Sequence, residues 1–337
     1  MPATDDTLHL VDAQDTAPGL LSVVIPVFNR RELVLRAIAS VLDQEGARER
    51  QVIVVDDGST DGTAEAVAQR FGADARVRVV AAKHAGASAA RNLGLRHASG
   101  DLLGFLDSDD FWLPGMLATI EQVFEHHPRL AFASVEGATL GVAGRPAETR
   151  VVGNSPGWSH AQFHRARLLR ENIAQPVPVP ILRGDFFPAI VFGDLFYLSG
   201  MVMRRDCAIG AGPFNERFRF FNDWEFFSRL CRQGEGARVD FDGFRRDAGR
   251  DDQISRRRPL TAMPRRHLFL VRAQLRRADA HAYARVLRLA LADACYQMAR
   301  TLAHGAHRRW ARRYLLMCLR KRYKFFRALA LLLSSPA

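Results

Sequence analysis

Apolar and polar positions alternate along the first third of the chain in blocks that predict strands and helices in turn. Near-continuous apolar runs at residues 21–29 and 51–55 are typical of parallel strands covered on both faces. Between them, one buried helix face is predicted by the spacing of Val34, Ala37, Ile38, Val41 and Leu42. A second helix, a strand at 77–81, a small-residue helix at 84–95 and a strand at 102–106 follow. This alternation predicts an α/β fold with a mostly parallel sheet flanked by helices.

Polar clusters follow three of these predicted strands. They comprise Phe28 and Asn29, then Asp56 and Asp57, then Asp107, Asp109 and Asp110. Ligands of parallel α/β sheets bind beyond the carboxyl ends of the strands, so the clusters are expected to share one site. The D-x-D-D cluster crowds carboxylates that repel one another, which favours a cation, and hard oxygen ligands suit Mg²⁺ or Mn²⁺. The alternative is a polar turn with an aspartate capping a helix that begins at Pro114.

The usual phosphate-binding loops are missing from the sequence. It contains neither the G-x-G-x-x-G of dinucleotide-binding folds nor the G-x-x-x-x-G-K-[ST] of P-loops. Any bound phosphates would therefore be neutralised by a metal and by basic groups such as Arg91.

Four segments within residues 20–135 resemble, in order and spacing, the nucleotide-binding half of glycosyltransferase family 2, which has the GT-A fold. They read S-V-V-I-P-V-F-N from Ser22, V-V-D-D-G-S-T-D-G-T from Val54, A-R-N-x-G from Ala90, and D-x-D from Asp107. The resemblance implies a Rossmann-like nucleotide-binding sheet and transfer of a sugar from a nucleotide-sugar donor.

The resemblance also implies roles for residues on the nucleoside side. Pro26, Phe28 and Asn29 are expected to border the nucleoside, and Asp57 to accept a hydrogen bond from the uracil imide. Arg91 is expected near the base and the diphosphate.

For the metal, the resemblance implies that Asp109 is a direct ligand. Asp107 is expected to approach the ribose and the hydration shell of the metal. Asp110 either joins this group or caps the following helix. Asp56 either joins the site or holds its turn through backbone hydrogen bonds.

A second, weaker likeness lies in the acceptor half. Residues 197–205 are predicted as a strand, 209–216 as a glycine-rich turn, and the segment from Asn222 as an amphipathic helix. The family usually opens this helix with Glu-Asp, so Asp223 takes the place of the catalytic base. The alternative for Asp223 is a helix cap, and Glu225 is the competing carboxylate.

Downstream, Asp247 stands about where many family members carry a histidine that assists the metal or the diphosphate. It is expected either to serve as another oxygen ligand or to mark an altered site. The sequence leaves both open.

The composition along the chain indicates how its domains are organised. The chain has 337 residues, 48% of them apolar, as expected for a globular protein. We expect a flexible tail at 1–19 without a signal peptide, a GT-A domain at 20–255 with halves 20–135 and 136–255, and a basic helical region at 256–337. Residues 136–196 show few periodicities and are interpreted as an acceptor-facing insertion or lid. Four cysteines without metal or disulfide spacing fit a reducing cytoplasm.

The net charge of +12 is concentrated in the basic region. Residues 256–337 contain 20 Lys and Arg against two acidic residues, so the rest of the chain is acidic overall. Without an apolar stretch long enough to span a bilayer, this pattern predicts peripheral docking on an anionic membrane surface at the cytoplasmic face. The alternative is a solvated face in an arginine-rich protein. No recognition motif supports nucleic-acid binding.

These predictions combine into one functional hypothesis. The chain is expected to be an inverting, metal-dependent glycosyltransferase that moves a sugar from a UDP-sugar to a glycan or lipid-linked saccharide in bacterial surface polysaccharide biosynthesis. A single carboxylate base implies direct displacement with inversion. The alternatives are a nucleotidyltransferase, or a degenerate membrane scaffold, which the departures at Asn222 and Asp247 motivate.

Overall fold

The computed structural model contains two compact units. The described residues are 16–140, 167–173, 178–247, 259, 261–277, 279–303 and 308–320. The described residues of the first unit lie in 16–140, 169–173, 178–184 and 196–247. Those of the second unit lie in 167–168, 185–195 and, with gaps, 259–320. The second unit thus includes residues 185–195, which the sequence assigned to the acceptor half.

The amino-terminal half of the first unit is the predicted parallel α/β arrangement. Its elements are β1 (Ala17–Val27), α1 (Arg31–Leu42), β2 (Glu49–Asp56), α2 (Thr63–Phe71), β3 (Val77–Ala81), α3 (Ala87–His97) and β4 (Gly100–Phe105). The strands pair in parallel in the order β3-β2-β1-β4. The carboxyl ends of β1, β2 and β4 therefore lie at one edge, as the prediction of a shared site requires.

The strands that follow along the chain extend the same sheet, and helices lie between them in sequence. They are β5 (Asp110–Trp112), α4 (Met116–His126), β6 (Phe132–Leu140), β7 (Arg167–Ile173), β8 (Val179–Asp185), α5 (Phe187–Ile190), β9 (Met201–Arg204), α6 (Arg205–Ala211), α7 (Asn222–Leu230) and β10 (Gly236–Asp247). The strand order is β3-β2-β1-β4-β9-β6-β10-β8-β7, and β5 pairs with β10. Strand β9 runs antiparallel to both β4 and β6, whereas β6 and β10 are parallel.

Several local predictions were wrong. The helix expected at Pro114 begins instead at Met116, after Gly115 in the left-handed conformation with φ 84°. Asp110 caps no helix, because it lies in β5, which pairs with the distant strand β10. Such a short strand exists only through this long-range pairing, which a local pattern does not reveal.

Other boundaries in the carboxyl-terminal half also differ from the predictions. The strand predicted at 197–205 is divided into a 3-10 turn at Leu198–Gly200, then β9, then α6 from Arg205. Helix α6 also replaces the first part of the turn predicted at 209–216. Residues 17–19 of the predicted tail belong to β1, while 1–15 lie outside the described residues.

Helix α3 packs closely on the central strand. A Cβ atom at Gly94 would lie only 2.2 Å from Cγ1 of Val24, so glycine permits the observed approach of α3 to β1. Next to this contact, Phe105 at the end of β4 packs edge to face against Phe214, with ring centroids 5.1 Å apart. Phe214 in turn stacks on Phe226 of α7 at 4.2 Å. This aromatic cluster holds α7 against the end of β4.

The second unit contains the helical part of the basic region. It contains α5 and three further helices, α8 (Ala262–Leu275), α9 (Ala284–Ala303) and α10 (Arg308–Arg320), with a 3-10 turn at Ala280–Tyr283. These three helices share a small core of Leu268, Ala294, Cys295, Tyr296, Met298, Ala299, Leu315 and Cys318. No helix in the described part of the chain has the length and apolarity needed to cross a membrane. Residues 321–337 of the predicted basic region lie outside the described residues.

Candidate functional site

The D-x-D-D carboxylates lie beyond the end of β4, and each has a different partner. The Asp107 carboxylate accepts a hydrogen bond of 2.6 Å from Arg91 on α3. The Asp109 carboxylate pairs with Arg30, which precedes α1. Asp110 is buried and accepts a 2.6 Å hydrogen bond from the hydroxyl of Ser199.

These partners set the ionisation of the three carboxyls. Burial raises the pKa of Asp110 well above its ordinary value, and the charges of Asp109 and Asp107 raise it further. Burial also raises the pKa of Asp109, against the opposing effect of Arg30. Desolvation acts on Asp107 in the same direction, but Arg91, together with Arg246 and Arg30, outweighs it and holds the pKa of Asp107 below its usual range. Asp107 is therefore the carboxylate most firmly ionised in this cluster.

The cluster has the oxygen chemistry of a divalent-cation site that is completed by a ligand. Within the described ranges, no group of three or more His, Cys, Asp or Glu side chains is arranged to hold a metal ion. Mg²⁺, however, is commonly held by one or two carboxylates together with waters and substrate phosphates. Burial is the main cause of the raised pKa of Asp109, and repulsion by Asp107 adds to it; a cation would relieve that repulsion. These two residues therefore fit such an ion.

The predicted nucleoside side is formed by the ends of β1 and β2. Pro26 is buried in β1, whereas the Phe28 ring is 40% exposed and lies 4.2 Å from the ring of His84, measured between centroids. Asn29 has φ 51°, and its side-chain oxygen accepts a 2.7 Å hydrogen bond from the backbone N–H of Thr60. An exposed aromatic face beside ordered polar groups is suited to a stacked base.

The two aspartates at the end of β2 are both engaged in backbone hydrogen bonds. Asp56 accepts from the N–H of Ser59 at 2.9 Å, which is the turn-holding alternative foreseen for it. Asp57 accepts from the N–H groups of Ala85 and Gly86 at 2.9 and 2.8 Å. The Asp57 carboxylate thus joins β2 to the start of α3. A carboxylate can accept further hydrogen bonds, so the predicted contact with a base stays open.

Asp223 lies in the first turn of α7, directed at the same region. Its carboxylate accepts from the N–H of Trp224 at 2.9 Å, and the Asn222 side chain donates to the hydroxyl of Ser88 at 2.6 Å. Burial raises the pKa of Asp223, Arg91 opposes this, and Asp107 adds to it. Asp223 and Asp107 are therefore electrostatic neighbours, both influenced by Arg91.

The competing carboxylate, Glu225, has a different environment. It is buried and makes two hydrogen bonds of 2.9 Å with Arg229. Arg229 also donates to the backbone carbonyls of Ala211, Gly212 and Pro213. Glu225 thereby fixes the loop before α7.

Asp247 ends β10 and pairs with Arg36 of α1 at 3.2 Å. The same guanidinium donates to the backbone carbonyl of Asp109 at 3.2 Å and lies 4.4 Å from the centroid of the Phe111 ring. Asp247 is thus connected to the carboxylate cluster through Arg36.

Sequence reasoning missed four contributors to this site: Arg30, Arg36, Ser199 and Arg246. Arg246 lies in β10 opposite Asp110 of β5, and its charge acts on all three aspartates of the cluster. Arg30 and Arg246 had a local signal, because they directly adjoin the predicted site residues Asn29 and Asp247. The others reach the site through strand pairing and helix packing.

Comparison with known proteins finds one matching family model and solved structures that share the fold. Residues 22–184 match the family model for Glycosyl transferase family 2. The Escherichia coli protein named UDP-Glc:alpha-D-GlcNAc-diphosphoundecaprenol beta-1,3-glucosyltransferase WfgD is 37% identical over 99 residues, which are 29% of this chain and 38% of that protein. The curated relatives are matched over only 14% to 38% of their own length.

Two solved structures illustrate the fold. S. aureus TarS 1-349, in complex with UDP-GlcNAc, has a TM-score of 0.62 at 15% identity over 94% of this chain and 88% of that one. Mannosyltransferase PcManGT from Pyrobaculum calidifontis, in complex with GDP-Man and Mn2+, has a TM-score of 0.53 at 17% identity over 94% and 85%. At these identities the likeness shows a shared fold.

The different environments of the two α7 carboxylates lead to a prediction about stability. Glu225→Gln removes the charge that balances the largely buried Arg229 and is expected to cost roughly 3 kcal/mol in the free energy of unfolding. Asp223→Asn should leave that free energy unchanged or raise it at pH 7. The folded state raises the pKa of Asp223, so its ionised form is disfavoured there relative to the unfolded chain. Urea unfolding of both variants measures the difference, and the reverse order would contradict these environments.

Proposed function

The chain belongs to glycosyl transferase family 2 through the domain at residues 22–184, and we propose that it is an inverting, metal-dependent glycosyltransferase with a nucleotide-sugar donor. The observation that carries the proposal is the position of Arg91. This buried guanidinium pairs with Asp107 of the predicted donor side and acts electrostatically on Asp223 of the predicted acceptor side. The two carboxylates that such a reaction needs therefore share one neighbour.

The donor would lie across the ends of β1, β2 and β4. Phe28 offers a partly exposed ring for stacking, and Asn29 and Asp57 offer polar atoms for the base. Arg91 would balance the negative charge of the diphosphate in addition to that of Asp107. The TarS structure is a complex with UDP-GlcNAc, and WfgD is named for UDP-Glc, which supports a UDP-sugar for this chain.

Asp107 and Asp109 are the residues that would hold a Mn²⁺ or Mg²⁺ ion. Asp110 follows them in the same motif, and Asp247 is connected to the cluster through Arg36. When bound, such an ion supplies Lewis-acid neutralisation of the charge that develops on the leaving diphosphate. Mn2+ in the PcManGT complex supports this assignment.

Asp223 would act as the general base. Its carboxylate would accept the proton of the acceptor hydroxyl while that oxygen attacks the anomeric carbon and the diphosphate leaves from the opposite face. Direct displacement by one base inverts the anomeric configuration, because no second carboxylate forms a covalent intermediate. The raised pKa of Asp223 brings its proton affinity closer to that needed at neutral pH.

The acceptor is proposed to be a glycan or lipid-linked saccharide of bacterial surface polysaccharide biosynthesis. The name of WfgD, which specifies a diphosphoundecaprenol-linked sugar, supports this class. The basic second unit would hold the protein on the anionic cytoplasmic face of the membrane. A nucleotidyltransferase is the alternative, and release of pyrophosphate instead of a nucleoside diphosphate would identify it.

The general base is tested with Asp223→Asn, after a screen of UDP-, GDP- and dTDP-sugars identifies the donor. The amide cannot accept the proton, so transfer or donor hydrolysis should fall by about 10²–10⁴-fold while donor affinity persists. In the wild type, kcat/KM should fall as pH drops through the raised pKa of Asp223, and the variant should lack that limb. Glu225→Gln, assayed at a temperature where it is folded, should keep most of the activity. Loss in Glu225→Gln with normal Asp223→Asn would assign the base to Glu225.

The metal site is tested by calorimetric titration of UDP with and without Mn²⁺. We expect Asp109→Ala to abolish the gain in UDP affinity that Mn²⁺ provides, and Asp107→Ala to weaken it. Asp101→Ala is a matched control, because Asp101 also pairs with an arginine, Arg48 at 2.6 Å, but belongs to β4 itself. If Asp109→Ala and Asp101→Ala respond to Mn²⁺ alike, Asp109 is not a ligand.

Membrane association is tested by sedimentation of the full chain with vesicles. Binding to vesicles rich in phosphatidylglycerol is expected, and binding to phosphatidylcholine vesicles is not. Attraction should weaken with salt, because the Debye length shrinks from about 10 Å at 0.1 M to about 3 Å at 1 M. Equal sedimentation with both vesicle types, or none with either, would remove electrostatic docking from the proposal.

A further inference from the structure

A pocket of about 580 Å³ lies within the second unit, among helices α8, α9 and α10. This volume is in the range of roughly 300–1,000 Å³ that is typical of small-ligand sites. The lining consists of Arg265, Leu268, Phe269, Arg272, Ala273, Arg276, Met298, Leu302, Trp310 and Tyr314. The proposed transfer reaction uses none of these residues.

The inner lining is apolar and continues onto exposed aromatic rings. Leu268 and Met298 belong to the small core of the unit. At the pocket, Phe269 is 45% exposed and Trp310 is 53% exposed. Large aromatic side chains that remain in water beside an apolar cavity are typical of a surface that receives an apolar ligand.

The rim of the same pocket is cationic. Arg265 and Arg272 lie seven residues apart on one face of α8, and Arg276, four residues further on, directly follows the end of the helix. All three are exposed, and no acidic residue belongs to the lining. In the described part of the second unit, none of the three pairs with a carboxylate. The rim therefore carries uncompensated positive charge beside apolar walls.

We propose that this pocket binds one molecule of an anionic membrane phospholipid. An acyl chain would pack against Leu268, Met298 and Leu302, and the phosphate would lie at the rim with Arg265, Arg272 and Arg276. Charge complementarity and the apolar interior together select an amphiphile over a purely ionic ligand. The inference is independent of the proposed transfer reaction. It also differs from diffuse electrostatic docking, because a pocket predicts saturable binding with a stoichiometry of one.

The proposal is tested with short-chain lipids kept monomeric in solution. The full chain should bind dihexanoyl phosphatidylglycerol with a stoichiometry of one in calorimetry, and the emission of Trp310 should shift to the blue. The shift should disappear in Trp310→Phe. Dihexanoyl phosphatidylcholine, which lacks net charge, and glycerol phosphate, which lacks the chains, should each bind at least about ten-fold more weakly. Comparable binding of glycerol phosphate or of a short oligonucleotide would overturn the lipid assignment.

Paired variants separate the pocket from general surface charge. Arg272→Glu should weaken binding of the anionic lipid by about ten-fold or more, which corresponds to about 1.4 kcal/mol. Ala273→Phe, which fills the pocket without changing charge, should weaken it similarly. Arg288→Glu is the matched control, because Arg288 is exposed on α9 but does not line the pocket.

Circular dichroism and thermal unfolding confirm that each variant is folded, as expected for an exposed arginine at 272. Should Ala273→Phe be misfolded, the Arg272→Glu and Arg288→Glu pair still decides the question. Equal weakening by these two charge reversals would reduce the interaction to diffuse attraction and overturn the pocket. Unchanged binding in a folded Ala273→Phe would do the same.

Discussion

The ion pair between Arg91 and Asp107 connects the parts of the first unit that a transfer reaction would require. The Arg91 side chain is only 8% exposed, and its guanidinium also lies 5.5 Å from the centroid of the Phe214 ring. Phe214 is fixed from the same helix, because Asn92 exchanges hydrogen bonds with its backbone at 2.9 and 2.8 Å. Helix α3 thus holds both the end of β4 and the segment that leads into α7. A buried guanidinium is costly unless it is paired, so the carboxylate and the aromatic packing depend on each other.

Arginines surround the carboxylate cluster, in which Asp110 is buried and the Asp107 side chain is 41% exposed. Arg30 pairs with Asp109, Arg91 pairs with Asp107, and Arg246 acts on all three aspartates from β10. The high pKa of Asp110 shows that this compensation is incomplete. A site with this balance would favour a ligand that brings both positive and negative charge, such as a divalent cation with a diphosphate. That property connects the geometry to the proposed chemistry more closely than the acidic motif alone.

The second unit shows how the same amino acid type serves different purposes. Arginines of the first unit, such as Arg91 and Arg229, are largely buried and hydrogen-bonded, whereas Arg265, Arg272 and Arg276 are exposed along α8 and at its end. The net charge of the region therefore says little by itself. Its distribution around an apolar pocket is what gives it a specific chemical meaning.

The sequence alone determined most of the parallel half of the sheet, because β1, β2 and β4 contain near-continuous apolar runs and α1 has one apolar face. It also placed Asp57, Asp107, Asp109 and Asp223 in polar segments that follow a strand or open a helix. Strand β5 escaped prediction because it exists through pairing with the distant strand β10, and the bounds of β9 and the start of α4 differ from those predicted. Only the tertiary structure could bring Ser199 to Asp110, 89 residues away, or Arg30 to Asp109, 79 residues away. Local patterns record which face of a segment is buried, whereas the partner of a buried charge is decided by how the chain packs.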